Sequence, residues 1–260
     1  MDKKTFSRDG TRIAYERTGQ GPAVVLVSGA MSTGATLAPL AAELSDRFDV
    51  TVYDRRGRGE SGDTAPYAVE REVEDLAALI EEVGGEASLY GISSGGALVL
   101  RAAAASGLPV RRAAVYEVPY AMDDDSARAR AEYTERLGEA LGQGRRGDAV
   151  ELFLRLTGLG EEMIRGARQS PMWAGMESVA PSLAYDDAVM GDARVPRAGL
   201  AEITVPVLAL AGDAGAEWMR EAARAVADAV PEGTYRTLGG QSHMVEPGVL
   251  APVLAEFFAA

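Results

Sequence analysis

The sequence contains no cysteine and only one histidine, His243, among its 260 residues. The absence of cysteine excludes disulfide bonds, thiolate nucleophiles and zinc sites built on cysteine. A single histidine also leaves too few ligands for the usual multi-ligand zinc centre. We therefore expect neither a metal site nor a bound cofactor.

Long apolar runs are also missing. No stretch approaches the roughly 18 residues that span a bilayer, and the segment Met1–Thr5 is polar. Basic residues are outnumbered, with 26 lysines and arginines against 39 acidic residues and a net charge of −13. Such a surface repels phosphate backbones. We expect a cytoplasmic protein with a small-molecule substrate and without membrane or nucleic-acid partners, and the sequence leaves its oligomeric state open.

Short strand patterns recur along the chain. Lys3–Ser7 and Thr11–Tyr15 flank Asp9-Gly10, and this dipeptide is a strong hairpin signal. Ala23–Val27 is a continuous apolar run, which is typical of a strand buried on both faces. Similar runs follow at Val50–Tyr53, Ala87–Tyr90, Ala113–Tyr116, Val205–Ala211 and Thr234–Leu238.

Helical patterns alternate with these strands. Val69–Val83 carries one apolar stripe and ends at a glycine pair, and Gly95–Ala105 is rich in alanine and leucine. Trp218–Val230 and Leu250–Phe258 supply two further helices. A hairpin followed by repeated strand–helix units predicts an α/β fold with a mostly parallel, doubly wound sheet.

One stretch breaks this alternation. Residues 120–200 contain no convincing strand but carry helical patterns at Ser126–Leu141 and Asp148–Leu156. We interpret the stretch as a helical cap inserted after the sixth strand, so that residues 1–119 and 201–260 form the core of one domain. Methionine and aromatic residues in and near the cap predict an apolar pocket, or alternatively the cap's own core. The predicted pocket residues are Met31, Tyr120, Met172, Trp173, Met176 and Met244.

Ser93 is the candidate nucleophile. It lies in Gly91-Ile92-Ser93-Ser94-Gly95, directly after a strand pattern and directly before a helical one. The motif G-x-S-x-G alone is weak, but a sharp strand-to-helix turn requires small residues two positions to either side of the serine. Such a turn exposes the serine hydroxyl at the sheet edge. The following helix then offers the Ser94 N–H to a developing oxyanion.

This segment resembles the nucleophile elbow of the α/β-hydrolase superfamily, and the resemblance extends over nearly the whole chain. Ser28–Met31 resembles the His-Gly oxyanion loop of that family, with Ser28 in place of the usual histidine. Tyr53–Ser61 resembles the segment after its fourth strand. The resemblance implies the α/β-hydrolase fold and makes the Ala30 N–H the second oxyanion donor. The basic turn Arg55–Arg58 could attract an anion, although we expect a solvated or capping role.

His243 is the candidate base. It follows the last strand pattern and precedes the last helix, and the superfamily places its catalytic histidine there. A lone histidine is more often a surface or core residue than a catalyst. The position of His243 in the expected loop, after Ser93 in chain order, favours the catalytic role.

The acid that would orient His243 has two candidates. Many relatives place an aspartate after the seventh strand, at a position where this chain has Gly215, and Asp213 is displaced from it by two residues. A second location in the superfamily is the end of the sixth strand, where this chain has Glu117. A carboxylate at a buried strand end requires a partner. We favour Glu117 over Asp213, and a Ser-His dyad without an acid is the third possibility.

A serine nucleophile predicts acyl transfer through an acyl-enzyme. We expect a carboxylesterase-like hydrolase that acts on a small to medium apolar carboxylic ester, lactone or thioester. Two alternatives remain open, since one fold hosts many chemistries. The first is a cyclase, lyase or acyl transferase of specialised metabolism on the same scaffold. The second is a non-catalytic ligand-binding protein.

Overall fold

The computed structural model describes all residues, 1–260, and its centre is an eight-stranded sheet. The strands are β1 (Lys3–Phe6), β2 (Arg12–Gly19), β3 (Ala23–Val27), β4 (Asp49–Tyr53), β5 (Ala87–Ile92), β6 (Val110–Tyr116), β7 (Val207–Gly212) and β8 (Gly233–Leu238). They lie side by side in the order β1-β2-β4-β3-β5-β6-β7-β8. Only β2 runs antiparallel to its neighbours β1 and β4. The predicted hairpin and mostly parallel sheet are confirmed.

The predicted strands differ from the observed ones mainly at their ends. β6 begins at Val110 rather than at Ala113, because the charged pair Arg111 and Arg112 interrupts the apolar run without interrupting the strand. β7 begins at Val207 rather than at Val205. Pro206 lies between these two positions and has no N–H to donate to the ladder.

Helices cover both faces of the sheet. The helices are α1 (Ala38–Leu44), α2 (Val69–Glu82), α3 (Ser94–Ala104), α4 (Asp124–Gly142), α5 (Arg146–Leu156), α6 (Glu161–Arg168), α7 (Trp173–Val179), α8 (Leu183–Met190), α9 (Arg197–Ala201), α10 (Glu217–Ala229) and α11 (Pro247–Ala259). Residues of α2, α3 and α10 form the larger apolar core on one face. Those of α1 and α11 form a second core on the other face. The sheet is therefore doubly wound, as the sequence predicts.

The stretch between β6 and β7 consists of helices joined by loops, and its one β pairing is an isolated bridge between Ala121 and Arg194. Buried side chains of α4, α5 and α7 give this stretch an apolar cluster of its own, with Trp173 among them. Helices therefore replace strands where the sequence predicts a cap, while the domain limits at residues 119, 120, 200 and 201 stay a prediction. No helix of the chain is both long enough and apolar enough to cross a bilayer.

Candidate active site

Ser93 lies in a strained turn between β5 and α3. Its φ is 56°, a left-handed value that is uncommon for a residue with a side chain. Two glycines make this turn possible. A Cβ at Gly91 would lie 2.4 Å from the Gly95 carbonyl oxygen, and one at Gly95 would lie 2.5 Å from the Ser28 carbonyl oxygen. The Ser93 N–H donates to the Tyr116 carbonyl at 2.9 Å, which fixes the turn against the end of β6.

Glu117 follows directly, at the carboxyl end of β6. Its backbone is also left-handed, with a φ of 45°, and only 1% of the residue is exposed. The Gly212 N–H donates to Glu117 Oε1 at 3.0 Å, and Glu117 Oε2 lies 2.8 Å from His243 Nδ1. Both carboxylate oxygens are therefore used, one to hold the side chain in place and the other to orient the imidazole.

Asp213, the alternative acid, contacts a different group. Its Oδ1 accepts a hydrogen bond from the Gly240 N–H at 2.6 Å, so the carboxylate braces the loop before His243 and does not reach the ring. Gly215 stands where many relatives have the acid. A Cβ built there would lie 3.4 Å from Glu117 Oε1. Glu117 thus brings a carboxylate from β6 into space that is adjacent to the usual position after β7.

His243 lies in the loop between β8 and α11, and other contacts of this loop hold it in place. The Tyr116 hydroxyl donates to the Ser242 carbonyl at 2.6 Å, and the Glu246 N–H donates to Gln241 Oε1 at 2.9 Å. Glu117 is the hydrogen-bond partner of the imidazole, whose side chain is 42% exposed. With Nδ1 engaged, Nε2 is the nitrogen that is left to accept a proton.

The two predicted oxyanion donors lie on either side of Ser93. Ser94 is the first residue of α3, so its N–H has no partner within the helix. Ala30 follows Gly29, and a Cβ at Gly29 would lie 3.1 Å from Ser93 Cβ and 3.7 Å from Ser93 Oγ. A side chain at position 29 would therefore press against Ser93, and glycine lets the loop after β3 lie close to the serine without that strain.

The sequence matches a known family over most of its length. Residues 24–253 match the alpha/beta hydrolase family. The chain belongs to this family. A crystal structure of an alpha/beta hydrolase from Sphaerobacter thermophilus DSM 20745 superimposes with a TM-score of 0.89 at 51% sequence identity, and the match covers 98% of this chain and 100% of that chain.

Two curated relatives also match this α/β-hydrolase-family protein. The 2-(acetamidomethylene)succinate hydrolase of Mesorhizobium japonicum is 29% identical over 205 residues, which cover 75% of this chain and 72% of the relative. Polyketide synthase ThaQ of Burkholderia thailandensis is 36% identical over 96 residues. That match spans 36% of this chain but only 5% of the length of ThaQ.

Ser93 and His243 line one cavity of about 770 Å³ in this α/β-hydrolase-family protein. Most of its wall is apolar and comes from three regions: the loop after β3 together with α1, the helices α4 and α5, and the residues around α10 and α11. Apolar lining residues include Leu37, Leu40, Ile92, Phe153, Leu156, Trp218, Met219, Val245 and Leu250. Arg130 is the only lysine or arginine in the lining.

The predicted pocket residues are mostly elsewhere, which corrects the sequence analysis. Met244 lines the cavity. Tyr120 is buried in the core between the sheet and its helices, and Trp173 is buried in the cluster of the helical stretch, against which Met31 and Met176 pack. Met172 is 74% exposed and points away from the apolar interior. Trp173 and Met176 therefore belong to the core of the helical stretch, as the alternative interpretation predicts.

Composition does not identify the other cavity residues, but the topology of the sheet could have predicted some of them. Trp218 and Met219 lie in the first turn of α10, which follows the short loop after the carboxyl end of β7, and open α/β sheets bind ligands at that end. Two lining hydroxyls, those of Ser28 and Tyr90, are buried without a hydrogen-bond partner. No group of three or more histidine, aspartate or glutamate side chains converges on a point that could hold a metal ion.

The basic turn Arg55–Arg58 after β4 does not have the solvated or capping role that the sequence analysis expects. Arg55, Arg56 and Arg58 are all fully buried, and each pairs with carboxylates. They are neither solvated nor open to an external anion, because the buried carboxylates of Glu72, Asp75 and Asp186 already pair with them.

Proposed function

We propose that the protein is a serine hydrolase that cleaves a carboxylic ester, lactone or thioester with an apolar acyl part of small to medium size. One observation carries the proposal: Ser93 stands on a strained turn at the wall of an apolar cavity that also exposes His243, and Glu117 holds that histidine by Nδ1 at 2.8 Å. Nucleophile, base and orienting acid are thus present in the roles that acyl transfer requires.

In the first half-reaction Ser93 Oγ attacks the substrate carbonyl carbon while His243 Nε2 takes the hydroxyl proton. Negative charge develops on the carbonyl oxygen, where the N–H groups of Ala30 and Ser94 would stabilise it. His243 then returns the proton to the departing alcohol or thiol, and the acyl group stays on Ser93. A water molecule deprotonated by His243 releases the acid and restores the serine.

The carboxylate of Glu117 has the same two roles in both halves of the reaction. It stabilises the imidazolium that forms when His243 holds the extra proton, and it keeps Nε2 as the acceptor by binding Nδ1–H. The burial of Glu117 strengthens this interaction, because few water molecules compete for the carboxylate. No direct hydrogen bond between Ser93 and His243 is required beforehand, since such bonds commonly tighten only when substrate binds.

Two features support the substrate class. The cavity volume of about 770 Å³ suits a small to medium ligand, and its lining is mainly aliphatic and aromatic. The curated relative from Mesorhizobium japonicum is named as a hydrolase, which agrees with the proposed reaction class. At 29% identity we carry over from it the type of reaction and not the substrate.

A fluorophosphonate probe tests the nucleophile. Wild-type protein should gain the mass of one phosphonyl group and lose its activity on p-nitrophenyl esters, whereas Ser93→Ala should do neither. Ser126→Ala is the matched control, because Ser126 also lines the cavity but lies on α4, away from the turn and from the loop after β3, and this variant should be labelled like the wild type. Absence of labelling in the folded wild-type protein, or equal labelling of Ser93→Ala, would refute the proposal.

A further inference from the structure

A buried ionic cluster contacts both segments that carry the proposed oxyanion donors. It contains Arg55 and Arg58 from the turn after β4, Glu72 from α2 and Asp186 from α8. Arg55 binds Glu72 through two hydrogen bonds of 2.7 Å and reaches Asp186 at 2.8 Å, and Arg58 binds both oxygens of Asp186 at 2.8 Å. Two cations and two anions therefore balance out of contact with solvent.

Arg58 connects this cluster to the first donor, Ala30. Its Nη1 donates to the Gly29 carbonyl oxygen at 2.6 Å. That carbonyl belongs to the same peptide unit as the Ala30 N–H, and a trans peptide is planar with its C=O and N–H pointing in opposite directions. A charged hydrogen bond that fixes the Gly29 carbonyl therefore also aims the Ala30 N–H. It polarises the peptide in the same sense, which makes the N–H a stronger donor.

Ser94 connects the cluster to the second donor. Its Oγ donates to Asp186 Oδ1 at 2.7 Å, and its backbone N–H is the donor at the start of α3. The side chain is buried, so no water competes for this bond. Asp186 thus anchors the residue that carries the second N–H.

We propose that Asp186 is a positioning residue that holds both oxyanion donors in place, the Ala30 N–H through Arg58 and the Ser94 N–H through Ser94 Oγ. This inference rests on the proposed function, because it assigns a role in stabilising the same oxyanion. The two donor N–H groups together form an oxyanion hole, and the role of Asp186 makes the geometry of this hole depend on α8, a helix of the stretch between β6 and β7. The helical stretch then contributes to the reaction as well as to the cavity wall.

The charge state of Asp186 suits this role. Burial alone would raise its pKa, but Arg58 and Arg55 outweigh burial and hold the pKa below its usual value. Asp186 is therefore a carboxylate at neutral pH. Buried ion clusters add little net stability, because desolvation offsets much of the attraction. The positioning of the Ala30 and Ser94 N–H groups therefore explains the four buried charges better than a contribution to stability does.

Arg56 and Asp75 provide a matched control. They form an equally buried pair with hydrogen bonds of 2.8 and 2.7 Å, but they make no hydrogen bond to the loop after β3 or to α3. Asp75→Asn should weaken folding in the way that any broken buried pair does. A purely structural role for Asp186 would give Asp186→Asn the same effect and nothing more.

The experiment compares Asp186→Asn, Ser94→Ala and Asp75→Asn on a p-nitrophenyl ester and on an analogous trifluoromethyl ketone. The ketone adds Ser93 Oγ to its carbonyl carbon and places an oxyanion in the hole, so its affinity reports the donors directly. Loss of one complete donor lowers kcat about 10²–10³-fold. In Ser94→Ala one donor stays in place but is less well oriented, and we expect kcat to fall about tenfold, which is less than the loss of a complete donor. Asp186→Asn should lower kcat further, because the N–H groups of both Ala30 and Ser94 lose their support.

Three results together support the positioning role: KM changes by less than about threefold, ketone affinity falls in proportion to kcat, and Asp75→Asn keeps wild-type kcat. The double variant Ser94→Ala/Asp186→Ala should be no worse than Asp186→Ala alone, because the Ser94 hydroxyl acts only through its hydrogen bond to Asp186, and alanine leaves no acceptor for it. Unchanged kcat and ketone affinity in Ser94→Ala overturn the proposal even where Asp186→Asn does not fold. A wild-type protein inert to both compounds refutes the proposed function and this role together.

Discussion

Glu117→Gln is the substitution that separates the two candidate acids most sharply. In the structure Glu117 Oε1 accepts the Gly212 N–H at 3.0 Å, and Oε2 lies 2.8 Å from His243 Nδ1. A glutamine has one carbonyl oxygen, and the Gly212 N–H requires it. The amide NH₂ then faces His243, where two donors cannot pair. The imidazole relieves this conflict only by moving its proton to Nε2, which leaves no acceptor for the Ser93 hydroxyl.

The size of the effect follows from that tautomer. Replacing the acid of a catalytic triad by its amide lowers turnover about 10⁴-fold, which corresponds to about 5 kcal/mol of transition-state stabilisation. Because Glu117 is 1% exposed, water cannot enter to relieve the mispairing. We expect KM to change far less than kcat, since Glu117 is not among the residues that line the cavity.

The assay measures kcat and KM on p-nitrophenyl butyrate for Glu117→Gln and for Asp213→Asn, with thermal unfolding of both as a check on folding. Asp213→Asn keeps an oxygen for the Gly240 N–H and does not touch the ring, so its kcat should stay within about threefold of wild type. A folded Glu117→Gln variant with near wild-type kcat would refute the assignment. An Asp213→Asn variant that loses as much activity would move the role to Asp213.

Three further predictions concern stability. Tyr53→Phe should raise the free energy of unfolding by about 1 kcal/mol, measured in urea, because the Tyr53 hydroxyl is buried without a partner; a loss of stability would show that the hydroxyl is satisfied. Trp173→Ala should lower it by about 3–5 kcal/mol with little change in KM, because Trp173 packs inside the helical stretch rather than in the cavity; a large rise in KM with unchanged stability would contradict this. The stability advantage of wild type over Asp186→Asn should be constant above the ordinary aspartate pKa of 3.8 and should shrink as pH falls below it, because the folded pKa is lowered; an advantage that grows in acid would contradict the ion pairing.

The sheet and the strained turn could be predicted because they depend on local patterns. Apolar runs such as Ala23–Val27 are buried on both faces in the structure, as a parallel strand requires. Gly91 and Gly95 mark the turn at Ser93 because their neighbours leave no room for a side chain. Each of these signals lies within a few residues of the feature that it predicts.

The partners of the buried arginines could not be predicted in the same way. A run of arginines is typical of a solvated surface, and what buries Arg55 is its pairing with Glu72 and Asp186, 17 and 131 residues away. The cavity lining was missed for a similar reason. Whether Trp173 or Phe153 faces the cavity depends on how each helix is rotated against its neighbours, and no single stretch of sequence contains that information.

In the proposed reaction, Ser93 carries the acyl group during turnover. The most direct measurement is to quench the reaction with p-nitrophenyl butyrate in acid within milliseconds and to identify the modified peptide by mass spectrometry. We expect one butyryl group on the peptide that contains Ser93 in the wild-type protein, formed as fast as the first turnover. Hydrolysis of the ester without acylation of Ser93, or undiminished hydrolysis by Ser93→Ala, would contradict it.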